Sequence, residues 1–173
     1  VDACEEDRES VVALFEEALN LALDQLIAMR DVEGASLSQD LLGRLARLAQ
    51  LRADIAGRAP LVVEEYRQRL QQRIAELLDG PVDPQRLAME VALMADRAAI
   101  DEELARLVSH EEQIVSTLRL DQPVGRKLDF LVQELNRELN TIGSKSSDTQ
   151  ITHWVVDAKS EVEKLREQVQ NIE

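Results

Sequence analysis

Glu134 and Glu138 stand four residues apart in a stretch with helical periodicity, so their carboxylates leave one face on successive turns and can converge on a divalent cation. Oxygen ligation of that kind suits magnesium or manganese (Mg²⁺ or Mn²⁺), ions that keep waters able to attack a phosphodiester. The same spacing also serves a surface ion network with the neighbouring Arg137. A second set lies upstream, where Glu103, Arg106 and His110 project from the border of an apolar stripe and Glu102 precedes Arg106 by one turn. An imidazole there can pass a proton to or from a ribose hydroxyl or a leaving oxygen, and a guanidinium can grip a phosphate through two hydrogen bonds. A helix-packing salt bridge beside a capped histidine is the alternative. His153, next to Trp154, is read as structural.

Positive charge gathers around the helix that carries Glu134: Arg126, Lys127, Arg137 and Lys145. Gly125 and the loop before it leave backbone N–H groups free at a helix start, which favours anions, and Ser144 and Lys145 occupy the other end. The cluster is a candidate phosphate site, with ordinary surface charge as the competing account. Advancing about 100° per residue from Leu128 places Asp129, Gln133, Asn136 and Asn140 on one side of the apolar stripe and Glu134, Glu138 and Thr141 on the other. Asparagine is a poor helix former because its side chain competes for backbone hydrogen bonds. Two in one row therefore suggest fixed hydrogen-bond work, either a polar network between helices or contact with a substrate.

The elements that must hold these groups are helical. Apolar residues at Val11, Leu14, Phe15, Ala18, Leu21, Ala22 and Leu26 define a first amphipathic helix over 7–30. A stricter seam through Leu41, Leu45, Leu48, Ile55, Ala59, Val62, Tyr66, Leu70, Ile74 and Leu77 predicts a long, coiled-coil-like arm. Pro60 inside it predicts a kinked helix or two coaxial ones, because proline removes a backbone bond and clashes with the preceding turn. Asp79, Gly80 and Pro81 predict a chain reversal. A third helix should run from Pro84 to Leu118, a fourth from the Pro123–Gly125 break through Ile142, and a last one from an Asp148 cap through Val169. The fold class is all-α: an elongated antiparallel bundle with a long hairpin arm and a C-terminal helical pair. The parts are 1–36, 37–120 and 121–173 of one helical domain.

Composition agrees. In 173 residues 45% are hydrophobic, mostly Leu and Ala, and only Phe15, Tyr66, Phe130 and Trp154 are aromatic, which disfavours a sandwich or barrel. No run approaches the roughly 18 apolar residues of a membrane span, and acidic Glu5, Glu6 and Asp7 stand where a signal peptide would be positive. Cys4 is the one cysteine, so neither a disulfide nor a cysteine-based zinc site can form within the chain. A soluble protein of a reducing, cytoplasmic compartment with no membrane partner is expected. The formal charge of -14 argues against a surface uniformly coated for nucleic acid, but not against a local basic groove.

The segment from Gly125-Arg126-Lys127-Leu128 through Asn140-Thr141-Ile142-Gly143-Ser144-Lys145 closely resembles the signature of the YicC family of bacterial endoribonucleases. Glu167-Gln168-Val169-Gln170-Asn171-Ile172-Glu173 resembles that family's C-terminus, Ile100 to His110 its second signature, and Arg30 with Glu33-Gly34 a third. Ala99 departs from the pattern, standing where an aspartate is common. The resemblance implies a divalent-metal-dependent endoribonuclease of which this chain is the C-terminal helical portion, preceded in the family by a mixed α/β domain. It further implies homo-oligomers, hexamers enclosing a central space, that would turn basic patches inward. Single-stranded or looped RNA is the expected substrate, because side chains cannot read the deep groove of an RNA duplex. The expected roles are Glu103, His110, Glu134 and Glu138 for proton and metal chemistry, with Glu103, Glu134 and Glu138 as metal ligands. Arg106, Arg126, Lys127, Arg137, Asn136, Asn140 and Lys145 are expected on RNA. The alternative is a helical oligomerisation and RNA-gripping scaffold whose catalytic groups reside mainly in the other domain.

Overall fold

Leucine and alanine at three- and four-residue spacing favour helix throughout, and the computed structural model describes residues 8–77 and 83–172 as helices with short connections. They are α1 (Arg8–Leu77), α2 (Pro84–Ala98), α3 (Asp101–Thr117), α4 (Gly125–Lys145) and α5 (Thr149–Val169), with no strand among the described residues. The all-α expectation holds. Cys4 and the expected turn at Asp79, Gly80 and Pro81 lie outside the described residues. No described helix is long and apolar enough to cross a membrane.

The separate helices expected over 7–30 and from Leu41 onward are one continuous helix, α1. Between them stands Gly34 without a following proline, and an isolated glycine costs a helix only about 1 kcal/mol. The helix also passes through Pro60. Pro60 and Ala56, whose carbonyl loses its partner, are both exposed, so water can take that acceptor while Ile55 and Val62 remain buried on either side.

Two units divide the chain, Val1–Asp40 and Leu41–Glu173. In the first, the described part of α1 keeps the apolar stripe of the first expected helix exposed at Val11, Leu14, Phe15, Leu21 and Leu26, uncovered by any of the described residues. In the second, burial begins at Leu41 and follows the seam through Leu45, Leu48, Leu51, Ile55 and Val62. It fades to half-buried at Tyr66, Leu70 and Ile74.

The core of this second unit joins that seam to Leu107 and Ile114 of α3, Leu128, Leu131, Leu135, Leu139 and Ile142 of α4, and Ile151, Ala158, Val162 and Leu165 of α5. α4 packs closely against both α3 and α5. α1 is tied across to α5 by Arg44–Glu161 at 3.5 Å and Arg58–Asp148 at 2.8 Å, a pair of contacts whose order makes the two helices antiparallel. It is tied to α3 by Arg52, whose Nε donates to both oxygens of Glu111 at 3.1 and 3.2 Å. Burial pushes the Glu111 carboxyl up against the opposing hydrogen bond and charge of Arg52.

Asp148 caps α5 as its position implied, accepting from the Ile151 N–H at 3.0 Å. The Arg58 hydrogen bond, helped by the Ile151 N–H and opposed by burial, holds the Asp148 carboxyl below the ordinary aspartate range. Asp83 caps α2 through the Gln85 N–H at 3.0 Å, with Pro84 following in the first turn.

The single helix expected from Pro84 to Leu118 is two. The chain leaves helical geometry at Ala99 (φ -63°, ψ 122°) and Ile100 (φ -125°, ψ 10°), and α3 starts at Asp101. Two local causes support the break: Ile100 is buried, and Asp101, Glu102 and Glu103 fill the first turn of α3, where free N–H groups and the helix dipole favour negative charge.

Candidate functional site

The α3–α4 pairing decides which polar groups meet. Glu103 pairs with Lys145 and Arg106 with Glu138, so residue numbers rise along one helix as they fall along the other and the pair is antiparallel. That register carries His110, two turns beyond Glu103, to Glu134 and Glu138, and among the described residues these three bring one imidazole nitrogen and one carboxylate oxygen each within 4.8 Å of one another. The three contacts form a polar ladder along one edge of the helix pair.

Glu138 is buried at 2% exposure, while His110 and Glu134 are half-buried, so the cluster opens to one side. The His110 Nδ1 is buried without a hydrogen-bond partner, and a buried polar atom without a partner costs about 1–3 kcal/mol. Arg106 reaches Glu138 at 3.5 Å and also pairs with Glu102. Arg137 lies 3.7 Å from Glu134 and is itself largely exposed.

Glu103 is placed apart from this cluster. The Lys145 ammonium donates to its two oxygens at 2.9 and 3.0 Å and to the Ala99 carbonyl at 3.0 Å. Burial opposes the Glu103 charge, but the Lys145 hydrogen bond, a backbone bond and the charges of Lys145 and Arg106 outweigh it and leave the carboxyl below its ordinary range. One lysine thus joins the end of α2, the start of α3 and the end of α4.

Arg126 and Lys127 are exposed in the first turn of α4, and Arg126 lines an open cleft of about 610 Å³ with Pro123, Gly125, Asp129, Val169, Gln170 and Ile172. Asn140 donates to Asn136 at 3.3 Å and Gln133 to Asp129 at 2.7 Å. These bonds run along α4 itself, with the outer faces of Gln133 and Asn140 exposed. His153 is exposed.

Sequence spacing put Glu134 and Glu138 together and placed His110 near reactive groups, but the union of the three needed the register of α3 against α4. It gave no role to Phe130, which is 57% exposed one turn before Glu134. The available signal was its angle of about 200° from Leu128, on the polar side of the helix.

An antiparallel helical domain with an imidazole and two carboxylates at one edge, beside a basic helix face, is suited to holding a cation close to a polyanion. The chain belongs to the YicC-like endoribonuclease family: the family model for the C-terminal region, "Endoribonuclease YicC-like, C-terminal", matches residues 55–173. It is 47% identical over 175 residues to a probable endoribonuclease YicC of Clostridioides difficile (strain 630) and 39% identical over 173 residues to one of Haemophilus influenzae (strain ATCC 51907 / DSM 11121 / KW20 / Rd). Each match covers 100% of this chain and 60% of the relative, so the chain spans about 60% of the length of these curated relatives.

Proposed function

We propose that this chain carries the cation-binding and RNA-binding part of a metal-dependent endoribonuclease that acts in the cytoplasm. The observation that carries the reading is the His110–Glu134–Glu138 cluster, three ligand atoms within 4.8 Å of one another and including a histidine whose Nδ1 is buried without a partner. An imidazole and two carboxylates are a donor set that fits manganese well, and magnesium less well because it favours oxygen ligands. A bound divalent cation supplies Lewis-acid stabilisation of charge on a phosphate.

The chain's own groups do the rest. Glu134 and Glu138 provide negative charge at the base of the site, and Arg106, within 3.5 Å of Glu138, can hold a phosphate oxygen at its rim. Arg126, Lys127 and Arg137, on the exposed side of α4, attract the RNA backbone, a local positive face on a chain of net charge -14. Asn136 and Asn140 offer amide groups to ribose or base edges along the same helix. Glu103 and Lys145 act at one remove, by fixing the α3–α4 register that brings the cluster together.

The test is cation binding and cleavage measured together. Wild-type protein should bind Mn²⁺ in a calorimetric titration and cut an end-labelled looped RNA internally, with EDTA stopping the cuts. H110A, E134Q and E138Q should each weaken Mn²⁺ binding by about 10-fold or more and abolish cleavage while RNA is still retained in a gel shift. Unchanged Mn²⁺ affinity in all three variants would remove the cluster from the mechanism.

Association of several copies, up to a hexamer, completes the proposal. Its support is the exposed apolar stripe of α1, where Leu14 is 66% and Phe15 69% exposed, a face that copies of the same helix can cover. Sedimentation of the wild type beside a variant with Leu14→Glu and Phe15→Glu tests it, the variant being expected to sediment as a smaller species.

A further inference from the structure

Phe130 is the aromatic ring of α4, and it stands on the outer face at 57% exposure. Its neighbours on that face fall at helical spacing: Arg126 one turn before, Glu134 one turn after and Arg137 two turns after. Arg126, Lys127 and Arg137 are all exposed. The other strongly exposed ring, Phe15, lies among Val11, Leu14 and Leu19, all of them exposed apolar residues. The two settings differ in kind. Phe15 belongs to an apolar stripe suited to another helix, whereas Phe130 is a single flat apolar surface flanked by Arg126 and Lys127 one turn before and by Gln133 and Glu134 one turn after, with Arg137 a further turn on.

We propose that Phe130 is a stacking platform for one unpaired RNA base, adjacent to the His110–Glu134–Glu138 cluster and therefore selecting single-stranded substrate. The proposal rests on the reading of that cluster as an RNA-cleaving site. The pattern required of a single-stranded nucleic-acid contact is a basic track for the phosphates interrupted by an aromatic ring for a base. Lys127, Phe130 and Arg137 supply that alternation on one helix, and a rise of about 1.5 Å per residue sets Phe130 about 6 Å from Glu134 along the axis. A base stacked on the ring is out of any duplex, and the ring itself lies along α4 between the basic first turn and Glu134 of the cluster. Every base has a π face, so the contact selects for an unpaired nucleotide and only weakly for its identity. A contact between protein subunits is the competing use of an exposed phenylalanine, and the charged neighbours of Phe130 disfavour it.

The experiment uses a single-stranded octaribonucleotide with one 2-aminopurine, and the same strand with an abasic site in its place, bound to the whole chain in EDTA so that it stays intact. Wild-type protein should quench the 2-aminopurine and bind the base-containing strand about ten-fold more tightly than the abasic one. F130A and F130L should lose both effects, the second without losing apolar bulk, and F130W should restore them. Retention of quenching and of the base-dependent affinity in F130A overturns the proposal. So does a change in sedimentation of F130A with the base dependence intact, which would make Phe130 a subunit contact. Mn²⁺ titration and Mn²⁺-supported cleavage by the wild type read the cluster separately: their failure overturns the nuclease reading and this proposal with it, whereas their success with no base-dependent binding overturns the stacking platform alone.

Discussion

The Lys145 ammonium, 2.9 and 3.0 Å from the two oxygens of Glu103, is shared with the Ala99 carbonyl at 3.0 Å, so its three donors hold three helix ends. Glu103 is only 4% exposed. Removing the lysine leaves a buried carboxylate without its counter-charge, which costs more than the pair itself contributes. K145M should therefore lower stability by about 2 kcal/mol, E103Q by about half as much, and the double substitution by less than the sum. Urea unfolding of the three variants measures this, and an unchanged midpoint for K145M would refute it.

The same two helices show what the sequence could reveal. Their apolar stripes were legible because burial of Leu107, Ile114, Leu131, Leu135 and Ile142 follows the 3.6-residue period directly. The break at Ala99 and Ile100 was not, since neither glycine nor proline marks it and the apolar pattern runs on. Three acids beginning at Asp101 were the signal, and they become informative only once a helix start is considered there. Lys145 was expected on phosphate and Glu103 on a metal. Each was read for its own charge, while a sequence separation of 42 hid the bond they make with each other. His110 met Glu134 and Glu138 for the same reason: periodicity gives the face of each helix, but register between helices is set by side-chain packing of the pair.

Acid should weaken the fold through Asp148 and Glu103. Both carboxyls sit below their ordinary values in the folded chain, Asp148 mainly through Arg58 and Glu103 through Lys145 against its own burial. A depressed folded pKa means stability that is fully present above the unfolded values, about 3.9 for Asp and 4.3 for Glu, and lost as pH falls through the folded ones. D148N should therefore be less stable than the wild type at pH 7 and show a flatter decline below about pH 4. Chemical unfolding across pH 2–7 measures both, and parallel curves for the two proteins would contradict the assignment.

Arg106 should affect cation and RNA binding in opposite directions. It pairs with Glu102 and reaches Glu138 at 3.5 Å, so its charge offsets the negative potential that a divalent ion would feel in the cluster. R106Q should raise Mn²⁺ affinity roughly three- to ten-fold. Loss of one phosphate contact should at the same time weaken RNA binding and reduce the slope of log affinity against log salt by about 0.7. Titrations with Mn²⁺ and with single-stranded RNA at several salt concentrations read the two effects, and a fall in both affinities would place Arg106 in a purely structural role.

Two helical glycines should respond to alanine with opposite sign. A Cβ on Gly57 meets nothing within 4 Å, so G57A gains helix propensity without a clash and should stabilise by about 0.5–1 kcal/mol. A Cβ on Gly143 would lie 3.3 Å from Val155 Cγ1, and Val155 is buried at 5% exposure. Valine in a helix has essentially one comfortable χ1 rotamer, so the methyl cannot turn aside and α4 must move off α5. That shift offsets the propensity gain, and G143A should be destabilised by about 0.5–1 kcal/mol net. V155A should relieve the contact and, combined with G143A, cost less than its effect alone predicts. Thermal unfolding of the four variants distinguishes this from a loosely packed interface, in which G143A would stabilise as G57A does.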